Sequence, residues 1–432
     1  MLYMVAGEPE IDQRLLWDLN ELEAVGSSRR VTIVAQFDPL DTLEAKQSTT
    51  TKRYHFSKDP NLFVLHSEPV ADLGELDMTD PQVLSDFVMW AVEAYPAKHR
   101  MLVFAGHGSG WHGVLIDDSS PTPSVMMPLE DLAISLDSSL RAAGINRLEI
   151  IGFSACLMGQ LEVLASLEPY CSYVVSSECT ECALGWGYDG LLAALTEEPT
   201  MGPAEFAVAI VENQIAGDAF VTSKAARVVD FLRSWLLPEE FTPDLIERVG
   251  RMSHHELDQL CETYGIDAAW IPTAEQKALQ PDAQADFATI AAFDLEALPE
   301  VLAGVRALGD DLRALGPERA DAIRAACRGE KPGCWDVFEY VDLPRLAVTV
   351  ASHDNGSGDL TGALEDLIIA RRSGSEVEDL GGLSIYFPTV TACDSATWTS
   401  YSQAAERFVE QTGWDNALRS LCEIESPEDN HD

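Results

Sequence analysis

Hydrophobic and polar positions switch between two periods along the first half of the chain. LYMV (2–5) is a short unbroken apolar run, the pattern of a buried strand, and Ile11, Leu15, Leu19 and Leu22 then recur at helical spacing across 11–24. VTIVAQF (31–37) predicts a second strand, and RYHF (53–56) with LFVLH (62–66) predicts a hairpin around Pro60. Residues 81–95 read as a helix, and MLVFA (101–105) as a buried strand. Leu129, Leu132, Leu136 and Leu140 line one helix face. LEIIGF (148–153), a helix over 157–167 and the strand SYVVSS (172–177) follow. Strands that alternate with helices imply a mostly parallel central sheet covered on both faces.

The texture changes near residue 218. Residues 231–287 are helix-like, acidic and loop-interrupted, with no clear strand. Further on, 293–315 predicts one long amphipathic helix, GLSIYFP (382–388) a strand ended by Pro388, and 398–414 a closing helix. The expected organisation is a catalytic domain over 1–217, a helical acidic insertion over 218–288 and a C-terminal subdomain over 289–432 that packs on the catalytic core.

Charge narrows the partners. The 432 residues carry a net charge of −44, a field that repels phosphate backbones and anionic lipids, so neither nucleic acid nor a membrane is an expected partner. No run of about 18 apolar residues is present to span a bilayer. With Met1 taken as the start, no secretory signal is visible, and a cytoplasmic location is expected. The nine cysteines are odd in number and widely spread, which suits reduced thiols better than a disulfide framework. Cys179 and Cys182 form a CxxC, but no second CxxC or HxxxH completes a zinc site, and no thioredoxin-like unit surrounds it. Phosphate-binding glycine motifs are also absent.

Two strands end in reactive residues. MLVFA runs into GHGSGWHG, which delivers His107, and LEIIGF runs into SAC, which delivers Cys156, forty-nine positions later. Sites in open parallel sheets form beyond the carboxyl ends of strands, so both side chains are expected at one edge. A free thiol is only a few per cent thiolate at neutral pH. A nearby imidazole raises that fraction and later protonates a leaving amine. The amides of Gly108 and Cys156 are the candidate oxyanion donors. His112 is a rival base, farther from the strand end, and His254 and His255 read as surface residues. Each feature alone has a bland reading, a packed cysteine or a structural histidine. The pairing at matched strand ends is what favours catalysis.

LYMVAG, DLNELEAVGS, FAGHGSGWHG, IIGFSACLMGQLEV, SYVVSSE, GWGYDG, FDLEAL and GLSIYFP occur in that order. The chain thereby resembles the clostripain family of cysteine peptidases, relatives of caspases and gingipains. The resemblance implies a caspase-like three-layer αβα sandwich with a helical insertion and a C-terminal extension. It implies a cysteine endopeptidase that acts on protein or peptide substrates through His107 and Cys156, with an activating protease or regulatory protein as a further partner and no required cofactor. Calcium is an open question, with the pairs Asp117/Asp118 and Glu365/Asp366 as candidate ligands. Ser154, Leu184, Glu178 and Trp186 are the candidate substrate-binding residues.

Three departures matter. Ser154 stands where family members carry an aspartate, and Leu184 where a second pocket carboxylate is expected. Burying an unpaired basic side chain costs about 3–5 kcal/mol, which predicts a neutral P1 pocket. Glu178, Glu181 or Asp189 pointing inward would instead restore Arg/Lys specificity. Second, family zymogens are cut at a basic residue after the histidine strand, and 113–140 holds no lysine or arginine. Third, about 70 residues separate the helix ending near Ile215 from FDLEAL. The reading from another class is a catalytically silent caspase-like module that binds a partner through this insertion.

Overall fold

The computed structural model describes residues 1–5, 9–39, 50–59, 65–120, 125–181, 185–214, 288–328, 339–353, 360–389 and 395–422. Leu184, Cys182, His254, His255 and nearly all of the 218–288 insertion lie outside them. Among the described residues, nine strands form one sheet in the order β10-β8-β7-β6-β5-β1-β2-β3-β4. Its centre is β7 (Cys171–Ser176), β6 (Leu148–Ser154), β5 (Met101–Ala105), β1 (Leu2–Val5) and β2 (Val34–Asp38), and neighbours within this block are parallel. An antiparallel pair flanks each side: β3 (Lys52–His55) and β4 (Pro69–Asp72), and β8 (Thr289–Asp294) and β10 (Ile368–Ser373).

Side-chain alternation on the central strands separates two cores, because successive residues of a strand point to opposite faces. Tyr3, Val5, Leu102, Phe104, Ile151 and Phe153 pack on one face against α2 (Pro81–Ala94), α3 (Leu129–Ala142), α4 (Leu161–Leu167) and α7 (Leu298–Leu315). Leu2, Met4, Val103, Ala105 and Ile150 pack on the other against α1 (Pro9–Val25), α5 (Tyr188–Glu197) and α6 (Pro203–Gln214). This is the three-layer αβα arrangement expected from the alternating pattern.

The differences from the sequence reading are local and have physical causes. Strand β3 pairs with Pro69–Asp72, and residues 65–68 form no strand. The helix expected from 157 begins at Leu161, because Leu157 has a left-handed backbone with φ 65° and breaks the helical path. Phe293 and Asp294 end β8 instead of opening a helix; Asp294 accepts from Glu296 N and starts a single 3₁₀ turn before α7. The closing helix is three: α11 (Ser395–Ala404), α12 (Glu406–Thr412) and α13 (Trp414–Cys422), with Gly413 in the left-handed conformation between the last two.

The chain beyond 288 is therefore integral to the sheet. It also forms α8 (Pro317–Arg328), α9 (Leu343–His353), α10 (Leu360–Leu367) and a two-stranded sheet of β9 (Tyr340–Asp342) and β11 (Ser384–Tyr386). No helix among the described residues is long and apolar enough to cross a membrane. Cys179 and Cys422 are each disulfide-bonded, whereas Cys156, Cys171 and Cys327 form no disulfide. The expectation of reduced thiols fails at those two positions.

Candidate active site

β5 and β6 run parallel in a register that pairs Ala105 with Ser154. His107 and Cys156 each lie two residues beyond that last pair. Gly106 N donates to Ser154 O at 3.2 Å and carries the ladder one step past the strands. The two loops then meet. A Cβ on Gly108 would land on the Cys156 carbonyl oxygen, so only glycine permits this approach.

Each loop is tied back to its own surroundings. The histidine loop is closed by Leu115 N to His107 O at 2.8 Å and Ser109 N to Gly113 O at 3.0 Å. These bonds flank Gly108, whose N–H is not a donor in that bridge. The cysteine loop is held by Leu157 N to Cys179 O at 2.9 Å and Gly159 N to Ser177 O at 2.6 Å. Cys156 is partly buried, and its Sγ accepts the Glu181 N–H at 3.3 Å. His107 is partly buried, with Nε2 closed off from solvent.

His112, the rival base, is committed elsewhere. Its ring stacks on Trp111 at 3.7 Å between centroids, and Nδ1 lies 3.1 Å from the Tyr340 hydroxyl and 3.3 Å from Ser109 O. Burial lowers its pKa, against a smaller opposing effect of the Ser109 carbonyl.

A sequence model described as the clostripain family matches residues 2–225, a span that contains both loops in this geometry. The chain belongs to the clostripain family of cysteine peptidases. Similar solved structures of clostripain-family proteases agree on the fold. A secreted C11 cysteine protease from Bacteroides thetaiotaomicron, in complex with an irreversible peptide inhibitor, is 17% identical with TM-score 0.62, covering 96% of this chain and 98% of that one. An inactive zymogen C11 protease from Parabacteroides distasonis is 14% identical with TM-score 0.59, covering 96% of each chain. No curated protein matches the chain.

The substrate-binding candidates separate in this clostripain-family chain. Ser154 is nearly buried at the end of β6 and lies beside Tyr188. Trp186 is fully buried; its ring edge fills the space that a Cβ on Gly152 would need, and its Nε1 donates to Glu181 Oε1 at 3.1 Å. Glu178 leaves the substrate-binding set. Its carboxyl is fully buried, accepts Gly382 N at 2.6 Å and lies against Asp342; burial and then the Asp342 charge push its pKa well up. Glu181 remains. The residue keeps some exposure, but its carboxyl sits deep enough that desolvation raises its pKa well above the usual range, with Asp18 adding to the shift.

Asp18 reaches the same place from α1, where a Cβ on Gly185 would come within 3.0 Å of its Oδ2. Asp18 opens the DLNELEAVGS stretch, but its place on a helix far from both reactive loops in sequence gave no sign that it reaches Glu181. Of the proposed cation ligands, Asp118, Glu365 and Asp366 are exposed, while Asp117 is buried near Asp38 and Glu75. Asp117 already accepts from Met78 N at 2.7 Å and Ser119 Oγ at 2.6 Å, and Asp38 from Thr51 Oγ1 at 2.6 Å.

Proposed function

We propose that the chain hydrolyses internal peptide bonds through a His107–Cys156 dyad, with a pocket that prefers an uncharged P1 side chain. The observation that carries the dyad is the matched register of β5 and β6 together with backbone contact between Gly108 and Cys156. His107 takes the thiol proton, and the sulfur attacks the scissile carbonyl. The amides of Gly108 and Cys156 receive the oxyanion. The C–N bond breaks as His107 returns the proton to the leaving amine, and water, deprotonated by the same imidazole, releases the acid. A peptide inhibitor bound to the related Bacteroides thetaiotaomicron protease supports a peptide-shaped cleft. A peptidyl acyloxymethyl ketone should add its mass at Cys156 in the native protein and add nothing to Cys156→Ala. Absence of labelling in the native protein supports the silent binding module instead.

Ser154, which brings no acid to the end of β6, and the burial that raises the Glu181 pKa support the P1 reading. In a P1 peptide library the native enzyme should cleave after leucine at least tenfold faster than after arginine, and Glu181→Gln should change that ratio by less than about threefold. Arginine preference that disappears in Glu181→Gln would mean that the buried carboxyl ionises against a basic substrate, and the neutral pocket would be wrong.

Maturation follows from the same pocket. Residues 113–140 hold no basic residue, so self-cleavage after lysine or arginine is not available there. Intact mass of native protein and Cys156→Ala after incubation separates the outcomes: equal masses mean activity as one chain or cleavage by another protease, and a cut in the native protein alone means self-cleavage. A self-cut after an uncharged residue agrees with the neutral pocket, and one after lysine or arginine contradicts it. Two bonded cysteines, and a related protease described as secreted, favour an oxidising compartment over the cytoplasm expected from sequence.

A further inference from the structure

The β9/β11 sheet braces both loops of the dyad. On β11, Ser384 N donates to Gly159 O at 2.9 Å, three residues beyond Cys156. On β9, Tyr340 is fully buried, and its hydroxyl donates to Ser109 O at 2.9 Å, two residues beyond His107. Gln160 is equally buried, and its Oε1 accepts Trp111 N at 2.6 Å. Gly110, at φ 59°, passes between them; a Cβ there would come within 2.5 Å of Gln160 Oε1 and 3.0 Å of the Tyr340 oxygen. The Trp111 ring is held edge-on by Tyr386 at 5.3 Å and Tyr401 at 5.2 Å.

The segment 106–113 has four glycines and a single 3₁₀ turn, Gly110–His112. Such backbone has many accessible conformations, and holding one of them needs outside contacts. Here those contacts come from a strand 233 positions past His107 and outside the 2–225 span that matches the family.

We propose that Tyr340 is a positioning residue for the catalytic histidine: its hydroxyl, with the Gln160 amide, fixes the 108–113 turn so that the His107 imidazole stays aligned with Cys156. The role rests on the dyad assigned above. Loss of alignment acts on the chemical step, because a displacement of about 1 Å costs up to a hundredfold in rate. Substrate contacts are untouched, so binding is spared.

Tyr340→Phe removes one oxygen and keeps the ring. Its kcat should fall about ten- to hundredfold, with KM within about twofold of native. The pH profile of Cys156 alkylation by iodoacetamide should move towards that of an ordinary thiol, near pH 8.5. Hydrogen exchange should quicken in the 106–115 peptide and stay unchanged in β5 and β6. Gln160→Met should reproduce these changes, and carries the same test if Tyr340→Phe does not fold. A soluble variant with native kcat overturns the role. So does a fall in kcat matched by lost folded protein, with the alkylation profile unmoved. Cys156→Ala and His107→Ala are measured alongside. Activity in those would remove the dyad itself, whereas inactive dyad variants beside a fully active Tyr340→Phe would remove only the positioning role.

Discussion

Cys156→Ala should lower kcat/KM by roughly 10⁶-fold, the scale seen when a covalent nucleophile is deleted. His107→Ala should cost on the order of 10²–10⁴-fold, the range for a general acid–base. Both should fold normally. Cys156 is partly exposed on a loop beyond β6, and replacing sulfur by hydrogen there opens no core cavity. The Glu181 N–H that donates to Sγ at 3.3 Å then turns to water, since Glu181 is itself partly exposed. His112→Ala serves as the internal comparison. Its ring is stacked on Trp111 and its Nδ1 faces the Tyr340 hydroxyl, so its loss should disturb the turn without removing the base. An inactive His112→Ala beside an active His107→Ala would reverse the assignment. The readout is steady-state cleavage of a fluorogenic peptide, with circular dichroism to establish folding.

Glu162→Gln should make the protein more stable above pH 7. Glu162 is buried on α4, directly behind the cysteine loop. One oxygen accepts Tyr386 N at 3.0 Å and the Tyr401 hydroxyl at 2.9 Å. The other is buried with no hydrogen-bond partner among the described residues. Desolvation pushes the pKa from 4.5 to about 7, against the opposing effect of those donors. The folded state thus holds a proton that the unfolded chain gives up near pH 4.5. The stabilisation is fully present below that pH, and it declines as pH rises through about 7. Each pH unit in that window is worth about 1.4 kcal/mol, so the full loss is roughly 3 kcal/mol.

Glutamine keeps the accepting oxygen and never ionises. The native protein should therefore lose melting temperature between pH 5 and pH 8 relative to Glu162→Gln, and the two curves should converge at the acid end. Asp38, also pushed up to about 7 by burial, titrates in the same direction in both proteins, so their difference isolates Glu162. Parallel curves for the two proteins would show that Glu162 is already ionised in the folded state.

Much of the sheet was legible because the β strands declare themselves locally. MLVFA, with Gly106 just beyond, and LEIIGF are short, largely apolar runs, and they form β5 and β6 within one residue of the expected ends. The shared edge of His107 and Cys156 was legible for the same reason, since residues just past parallel strands stand at one edge. β8 was hidden because TIAAFD runs into FDLEALPEV, whose helical period masks the strand before it. β4 was hidden because PVAD is an exposed edge strand, without the apolar alternation that burial imposes.

The sequence by itself determined the alternating α/β layers and the places of His107 and Cys156 just past two strands, because each is written in residues a few positions apart. Only the tertiary structure decided that Glu178 serves the interior against Asp342, that the Asp18 and Glu181 carboxyls act on each other, and that Tyr340 braces the histidine loop. Those outcomes depend on contacts between residues more than a hundred positions apart. Which side of a loop a carboxyl faces is set by what packs against it, and no local pattern records that neighbour.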